Sequence, residues 1–401
     1  MNTKKLFFFA IAALGLAACS NDEVVDTIAT SEANEISFRP FTTGMTRAAD
    51  ITTTNLTSFY VTANIAGSTM TNYFGDVTPE TYTDENVGTG EGKHASTAGT
   101  YTSSTKHYWP STGKLDFIAF APAIGTDISR TDSTHFSVTP NATPSAQQDF
   151  LYAVVRDQTK AANGTGVVLN FRHALSKVVI QLKNTSSDLH FTVKDVAIGY
   201  IQPTGAFAPI YKTNDGSQIG FSTNGTSNSN TTIASENGYY ITGAAWVASG
   251  AHTSYSQTAG TTAYAVNATS PAALNDDMIL IPQALTVDTK YYHAPEGAAA
   301  VNDPFHGACI TVELKIQDAQ NHYVVGTSEA YVTAMWPLTA LTWLPGHRYT
   351  YTVDLAGGGY YTVNQDTNED LDPILDNSEI KFVNVTIDNW TDAAGISVPA
   401  E

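Results

Sequence analysis

Two cysteines, ten histidines and a cluster of alternating carboxylates are the groups in this 401-residue chain that could do chemistry, and each would need a different partner. Cys19 ends the tetrapeptide Leu16-Ala17-Ala18-Cys19, behind an apolar run that starts at Leu6 and two lysines, Lys4 and Lys5. A basic start, a short apolar core and small residues before a thiol form an export signal, and the tetrapeptide resembles a lipobox, where lipid is joined to the sulfur and the chain is cut just before it. Residues 1–18 are therefore expected to be a signal peptide, too short to span a bilayer, and the mature chain to begin at a lipidated Cys19. An ordinary secretory leader with an accidental cysteine is the alternative. With Cys19 consumed by lipid, Cys309 has no partner for an internal disulfide. It lies in the strand-like run 308–314, where a small buried hydrophobe is expected rather than a reactive thiol.

Asp366, Asn368, Asp370 and Asp372 alternate as ligands do in calcium loops, which makes them weak candidates for a cation site. Leu371 stands where such loops have the glycine of the sharp turn, and a solvated acidic linker is the competing reading. The histidines are scattered, and His306 with Cys309 is the nearest approach to zinc-ligand spacing, two ligands short. Neither G-x-S-x-G nor H-E-x-x-H occurs, nor a phosphate loop, nor a paired C-x-x-C. No enzyme and no cofactor is expected. Trp109, Trp246, Trp336, Trp343 and Trp390 could stack on sugars, although core packing and strand-edge placement account for most tryptophans. The formal charge of −19 becomes more negative once Lys4 and Lys5 leave, which argues against nucleic acid as a partner.

The elements that must position these residues read as strands. Apolar residues make up 42% and charged ones only 14%, a balance that suits packed cores under a Thr, Ser and Asn surface. Residues 19–34 are acidic, small and aperiodic, a flexible tether. Alternating or β-branched runs follow at 35–39, 56–63, 115–121, 150–155, 166–171, 177–182, 191–198, 278–282, 310–316, 323–325, 349–355 and 380–387. Beyond the leader no window keeps helical spacing, so the expected fold is all-β and sandwich-like. Two Gly/Ser/Thr/Asn-rich stretches, 78–105 and 214–270, read as long surface excursions.

Five patches carry a family resemblance. They are Lys106-His-Tyr-Trp-Pro-Ser-Thr-Gly-Lys-Leu-Asp-Phe-Ile-Ala-Phe-Ala-Pro122, Gln148-Asp-Phe-Leu-Tyr-Ala153, Leu169-Asn-Phe-Arg-His-Ala-Leu-Ser-Lys177, Leu280-Ile-Pro-Gln283 and Trp343-Leu-Pro-Gly-His-Arg-Tyr-Thr-Tyr351. In this order, behind a lipobox, they resemble the fimbrillins, pilin-like lipoproteins of Bacteroidales outer membranes. The resemblance implies two transthyretin-like β-sandwich domains in tandem, 48–171 and 172–379, joined near Phe171, and a role as a subunit of a surface fimbrium. Read on their own, Pro345 and Gly346 make a turn that launches the next strand. Asp149 and His173 beside apolar runs suit a hydrogen-bonded structural role at the junction.

The resemblance further implies assembly by donor-strand exchange, in which an arginine-specific cut removes the first strand and a strand of another subunit replaces it. Here the removable segment is 35–47, with cleavage between Arg47 and Ala48 in a small, polar stretch. Arg39 is protected by Pro40. The alternative leaves Arg47 as an ordinary loop residue. The donor candidate is 380–401, with Val383, Val385 and Ile387 on one face and Ile380, Phe382 and Trp390 on the other. That strand could equally belong to the second domain's own sheet. Expected partners are other fimbrial subunits, the outer membrane through the lipid, and a host glycan or protein. A monomeric surface lipoprotein that binds such a ligand, or a tip or anchor subunit, is the alternative.

Overall fold

The structure, a computed structural model of the chain, describes residues 34–42, 56–66, 71–76, 78–84, 101–130, 135–164, 166–208, 210–212, 218–220, 245–249, 251–257, 263–266, 269–273, 277–288, 305–362, 371–375 and 383–389. Among them the regular elements are strands and short 3-10 turns, without an α-helix. Ahead of Ala174 lie β1 (Phe38–Thr42), β2 (Ser58–Ile65), β3 (Thr71–Phe74), β4 (Glu80–Asp84), β5 (Tyr101–Thr102), β6 (Leu115–Ala121), β7 (Ile128–Arg130), β8 (Phe136–Val138), β9 (Leu151–Gln158) and β10 (Val167–His173). After it come β11 (Ser176–Lys183), β12 (Leu189–Ile201), β13 (Thr204–Ala208), β14 (Ile210–Lys212), β15 (Gln218–Gly220), β16 (Ala245–Ser249), β17 (Thr253–Ser256), β18 (Tyr264–Val266), β19 (Ala272–Ala273) and β20 (Met278–Leu280). The last six are β21 (Cys309–Asp318), β22 (Tyr323–Val325), β23 (Val332–Pro337), β24 (His347–Asp354), β25 (Tyr360–Tyr361) and β26 (Asn384–Asn389).

Side chains on a strand alternate between faces, so a half-buried strand needs apolar residues at every second position. β10 meets that rule, with Val167, Leu169, Phe171 and His173 buried and the residues between them half-buried. β24 does so through Tyr349, Tyr351 and Val353. β6 is different, because all seven residues of Leu-Asp-Phe-Ile-Ala-Phe-Ala are buried. A run buried on both faces must have a layer packed on each side. Phe117 and Ala119 face one core while Ile118 and Phe120 face another.

The first core lies within the order β1-β10-β9-β6-β2-β4-β5. β10 runs parallel to β1 from Val167 to Phe171, then pairs with β9 only at Arg172 and His173, so it crosses between two layers. Phe38, Phe59, Tyr82, Phe117 and Phe171 pack between them. In the second half, β19-β11-β24-β26 with β20 faces β17-β12-β21-β23-β25 with β18 and β22. Ile180, Val193, Ile310, Trp336 and Tyr351 fill that space. These are sandwich layers, as the alternation in the sequence requires.

A third core joins the halves. Ile118, Phe120, Phe136, Phe150 and Tyr152 from the first half meet Leu175, Phe207, Ile279 and Ile281 from the second. Over it lies a four-stranded sheet, β16-β13-β8-β7, in which β8 pairs with β13 through Phe136↔Phe207, Ser137↔Ala206 and Val138↔Gly205. The Gln147 side chain adds a polar link, accepting from Ile279 N–H at 2.6 Å and donating to the Asn141 carbonyl at 2.9 Å. Such bonds satisfy backbone groups that the interface would otherwise bury unpaired.

Candidate assembly site around the first strand

β1 has the features of a detachable element. It ends the strand order of its sheet, and its ladder is to β10 alone, in parallel register from Phe38↔Val167 to Thr42↔Phe171. Val167 N–H donates to the Ser37 carbonyl on that side, whereas Ile36 N–H donates to the His107 carbonyl on the other. The same alternation puts Pro40 in phase with Ile36, away from β10. Proline has no N–H to leave unpaired on an open edge, which is where strands tolerate it. Gly166 holds φ +100° just before β10, and a Cβ there would lie 3.0 Å from Ser37 Oγ, so glycine lets the two chains approach.

The strand is nonetheless deeply seated. Ile36 and Phe38 are only 2% and 3% exposed. The Phe38 ring sits 4.8 Å from Tyr82, 5.2 Å from Phe117 and 6.2 Å from Phe59, edge-on to all three. This three-ring box is the most specific contact that β1 makes, since edge-to-face pairs add to the burial of a large apolar side chain.

A strap at 103–109 crosses the front of the strand. Trp109 N–H donates to the Asn34 carbonyl at 2.9 Å, and Lys106 pairs with Glu35 at 2.8 Å. That ion pair is exposed and contributes little. β3 and β4 hold the strap from beneath: His107 stacks on Phe74 at 3.9 Å and lies 3.4 Å from Glu80, Ser103 donates to Glu80, and Tyr73 donates to the Tyr108 carbonyl at 2.6 Å. Burial, then the Glu80 and Glu35 carboxylates, push the Tyr82 phenol well above its ordinary range.

At the junction, His173 Nδ1 lies 2.7 Å from Asp149 Oδ2, with both side chains almost inaccessible. The turn at 343–346 closes over it. Gly346, at φ +68°, donates to the Leu175 carbonyl at 2.8 Å, Trp343 Nε1 donates to Tyr351 Oη at 2.8 Å, and Leu344 N–H donates to Tyr349 Oη at 2.7 Å.

Cys19, Arg47, Ala48, Trp390, Asp366, Asn368 and Asp370 lie outside the described residues. The Asp372 carbonyl accepts from Tyr361 N–H at 2.8 Å. Among the described residues no group of three or more His, Cys, Asp or Glu could hold a metal ion. His306 is exposed and its N–H donates to Asp288 Oδ2 at 2.6 Å, while the buried Cys309 thiol is pushed up to about 12 by desolvation. Trp109, Trp336 and Trp343 are core residues, at 6%, 1% and 1% exposure, which removes them as sugar platforms.

The C-terminal strand occupies an edge of the second half's own sheet. β26 runs antiparallel to β24, from His347↔Asn389 to Thr352↔Asn384. Val383 and Val385 pack half-buried against the second core, but Ile387 is 48% exposed. The strap and the β8·β13 pairing were not legible as site features in the sequence. Both depend on contacts between residues far apart in the chain, although the Glu35 and Lys106 charges, 71 residues apart, were visible as such.

A search of curated proteins found no match. Among solved structures, a fimbrial protein from Bacteroides vulgatus is similar at 14% identity, with 89% of this chain and 100% of that one covered and a TM-score of 0.46. A candidate cell adhesion protein from Bacteroides uniformis is similar at 14% identity, covering 89% and 98%, with a TM-score of 0.43. Another from Parabacteroides distasonis stands at 12% identity, 89% and 100% coverage, and a TM-score of 0.39. The family model described as fimbrillin-like matches residues 46–390, most of the sequence, and the chain therefore belongs to the fimbrillin-like family.

Proposed function

We propose that the protein is a structural and adhesive fimbrial subunit, exported as a lipoprotein through Cys19, cut between Arg47 and Ala48, and joined to other subunits by donor-strand exchange. The observation that carries this reading is the seating of β1. It fills an aromatic core with Phe38, yet its ladder is to one neighbour and its outer edge carries Pro40. Its removal would leave an elongated apolar groove with a row of unpaired β10 groups, a surface that demands another strand. The fimbrillin-like family supports a cell-surface location, and the lipid proposed at Cys19 would tether the precursor to the outer membrane. Among the described residues no helix is long and apolar enough to cross a bilayer.

N-terminal sequencing of the surface-exposed protein tests the reading. Subunits in filaments should begin at Ala48, and subunits that begin before residue 40 would overturn it. The second reading, a tip or anchor subunit or a monomeric surface lipoprotein that binds a host glycan or protein, is favoured by the six register pairs of β26 with β24, which show a C-terminal strand at home in its own sheet. A lipid-bearing Cys19 at the mature N-terminus of the surface form would favour that reading.

A further inference from the structure

Tyr200 holds a backbone conformation that costs energy, and the fold itself draws nothing from it. Its φ is +63°, a left-handed value that a bulky side chain adopts only under constraint. The register of β12 on β17 moves there from Ile198↔Tyr255 to Ile201↔Thr253, so Gly199 and Tyr200 stand opposite Ser254 alone. A bulge of this kind re-aims a side chain. Two clamps hold it in place. β12 pairs Gly199 with Cys309, and the Gln283 side chain accepts from Gln202 N–H at 2.9 Å and donates to the Gln202 carbonyl at 3.1 Å. Glycine would fit the position without strain, yet the chain places a tyrosine there.

The bulge brings rings from three segments together at the surface. Tyr200 lies flat on His252, with centroids 3.9 Å apart and planes 12° from parallel, and His306 stands 6.0 Å away, tilted by 48°. Both histidines are exposed, and the half-buried Tyr200 joins none of the hydrophobic cores. The His306 segment is tightly seated. Its N–H donates to Asp288 Oδ2 at 2.6 Å, Ala308 N–H donates to the Thr286 carbonyl at 2.8 Å, and a Cβ at Gly307 would lie 2.5 Å from the Asp288 nitrogen. Among the described residues the Tyr200 hydroxyl and the His252 ring nitrogens make no hydrogen bond, which leaves them to a ligand. We infer that this cluster is a carbohydrate platform, on which the C–H face of a neutral pyranose stacks while its hydroxyls bond to the Tyr200 phenol and the His252 imidazole. Aromatic faces are electron-rich and attract the weakly positive C–H groups of a sugar, and a phenol or a neutral imidazole can both donate and accept. An acidic sugar fits worse, because the Asp288 carboxylate holds the His306 backbone and the chain carries a formal charge of −19. The inference rests on the adhesive part of the proposed function, to which it gives a site and a ligand class, and it is independent of how subunits are joined.

Saturation-transfer NMR on the purified protein tests it, with lactose, cellobiose and diacetylchitobiose as neutral probes and sialyllactose as the acidic one. At least one neutral disaccharide should receive saturation on its ring C–H hydrogens, and its affinity should fall about tenfold or more in Tyr200→Gly and in His252→Ala. Tyr200→Gly relieves the left-handed strain, so its denaturant midpoint should equal or exceed that of the wild type. No transfer to any neutral probe, transfer to sialyllactose alone, or an affinity unchanged in either variant overturns the inference. So does a lowered midpoint in Tyr200→Gly, which would make the ring a structural prop. Subunits that assemble into filaments yet bind none of these sugars would sink the platform and leave the fimbrial reading standing. Sugar binding by a form that keeps its lipid and never assembles would uphold the platform and sink polymerisation.

Discussion

Phe38 concentrates the energetics of the first strand in one side chain. Truncating a buried phenylalanine removes its transfer energy and leaves a cavity that its neighbours fill only in part. Phe38→Ala should lower the unfolding free energy by about 3–4 kcal/mol, read from the denaturant midpoint, with strand 1 becoming the first segment to exchange its amide protons. An unchanged midpoint would mean that the ring is not held between Tyr82 and Phe117. The surface pair Lys106–Glu35 adds little beside that ring, since both of its side chains reach solvent. Cys309 illustrates what residue-level reading can achieve. Its apolar run suggested an inert thiol, and burial does push that thiol far from the range where a thiolate forms near neutral pH.

At the scale of elements, β26 is where the two functional readings part. Its outward side chains are exposed, and β24 keeps Tyr349, Tyr351 and Val353 in the second core through the facing sheet. Deleting residues 380–401 should leave a folded monomer, by circular dichroism and gel filtration, that no longer forms filaments. Loss of the second half's cooperative transition would instead mark β26 as an intrinsic strand. Legibility in the sequence followed the same division between local pattern and distant pairing. β6, β10, β11 and β24 announce themselves by alternation or by a continuous apolar run, and they lie within a residue or two of where the pattern places them. β4 and β5 were hidden in the Thr-rich stretch 78–105, because Glu-Thr-Tyr-Thr-Asp has one apolar residue to show, yet Tyr82 reaches the first core and Tyr101 donates to the Leu56 carbonyl at 2.5 Å. β17, Thr-Ser-Tyr-Ser, was hidden in the same way within 214–270. Short polar-rich strands at edges owe their state to a partner, and composition does not name the partner.

At the scale of the whole molecule, buried phenols tie both halves to pH. Tyr152, Tyr255 and Tyr264 are pushed up to about 12, chiefly by burial, and Tyr82 and Tyr351 are raised as well. An unfolded phenol ionises near 10, so above that pH the unfolded chain releases protons that the folded chain keeps. Stability from these groups is complete below about pH 10 and falls as the pH rises towards 12. Tyrosinate absorbance of this group should therefore appear together with the loss of near-UV circular dichroism. Full ionisation near pH 10 with the fold intact would refute the burial of these rings.

The sheet shared by β8 and β13 has a mechanical meaning. Swinging one half about Ala174 and Leu175 would strip the pairs from Phe136↔Phe207 to Val138↔Gly205, and it would pull the Phe207 ring away from Phe136 and Phe150. Among the described residues, Ala174 and Leu175 are themselves buried in that shared core, which leaves no soft pivot between the halves. Halves welded in this way bend together, and any compliance in a string of such units would have to reside between subunits rather than within them.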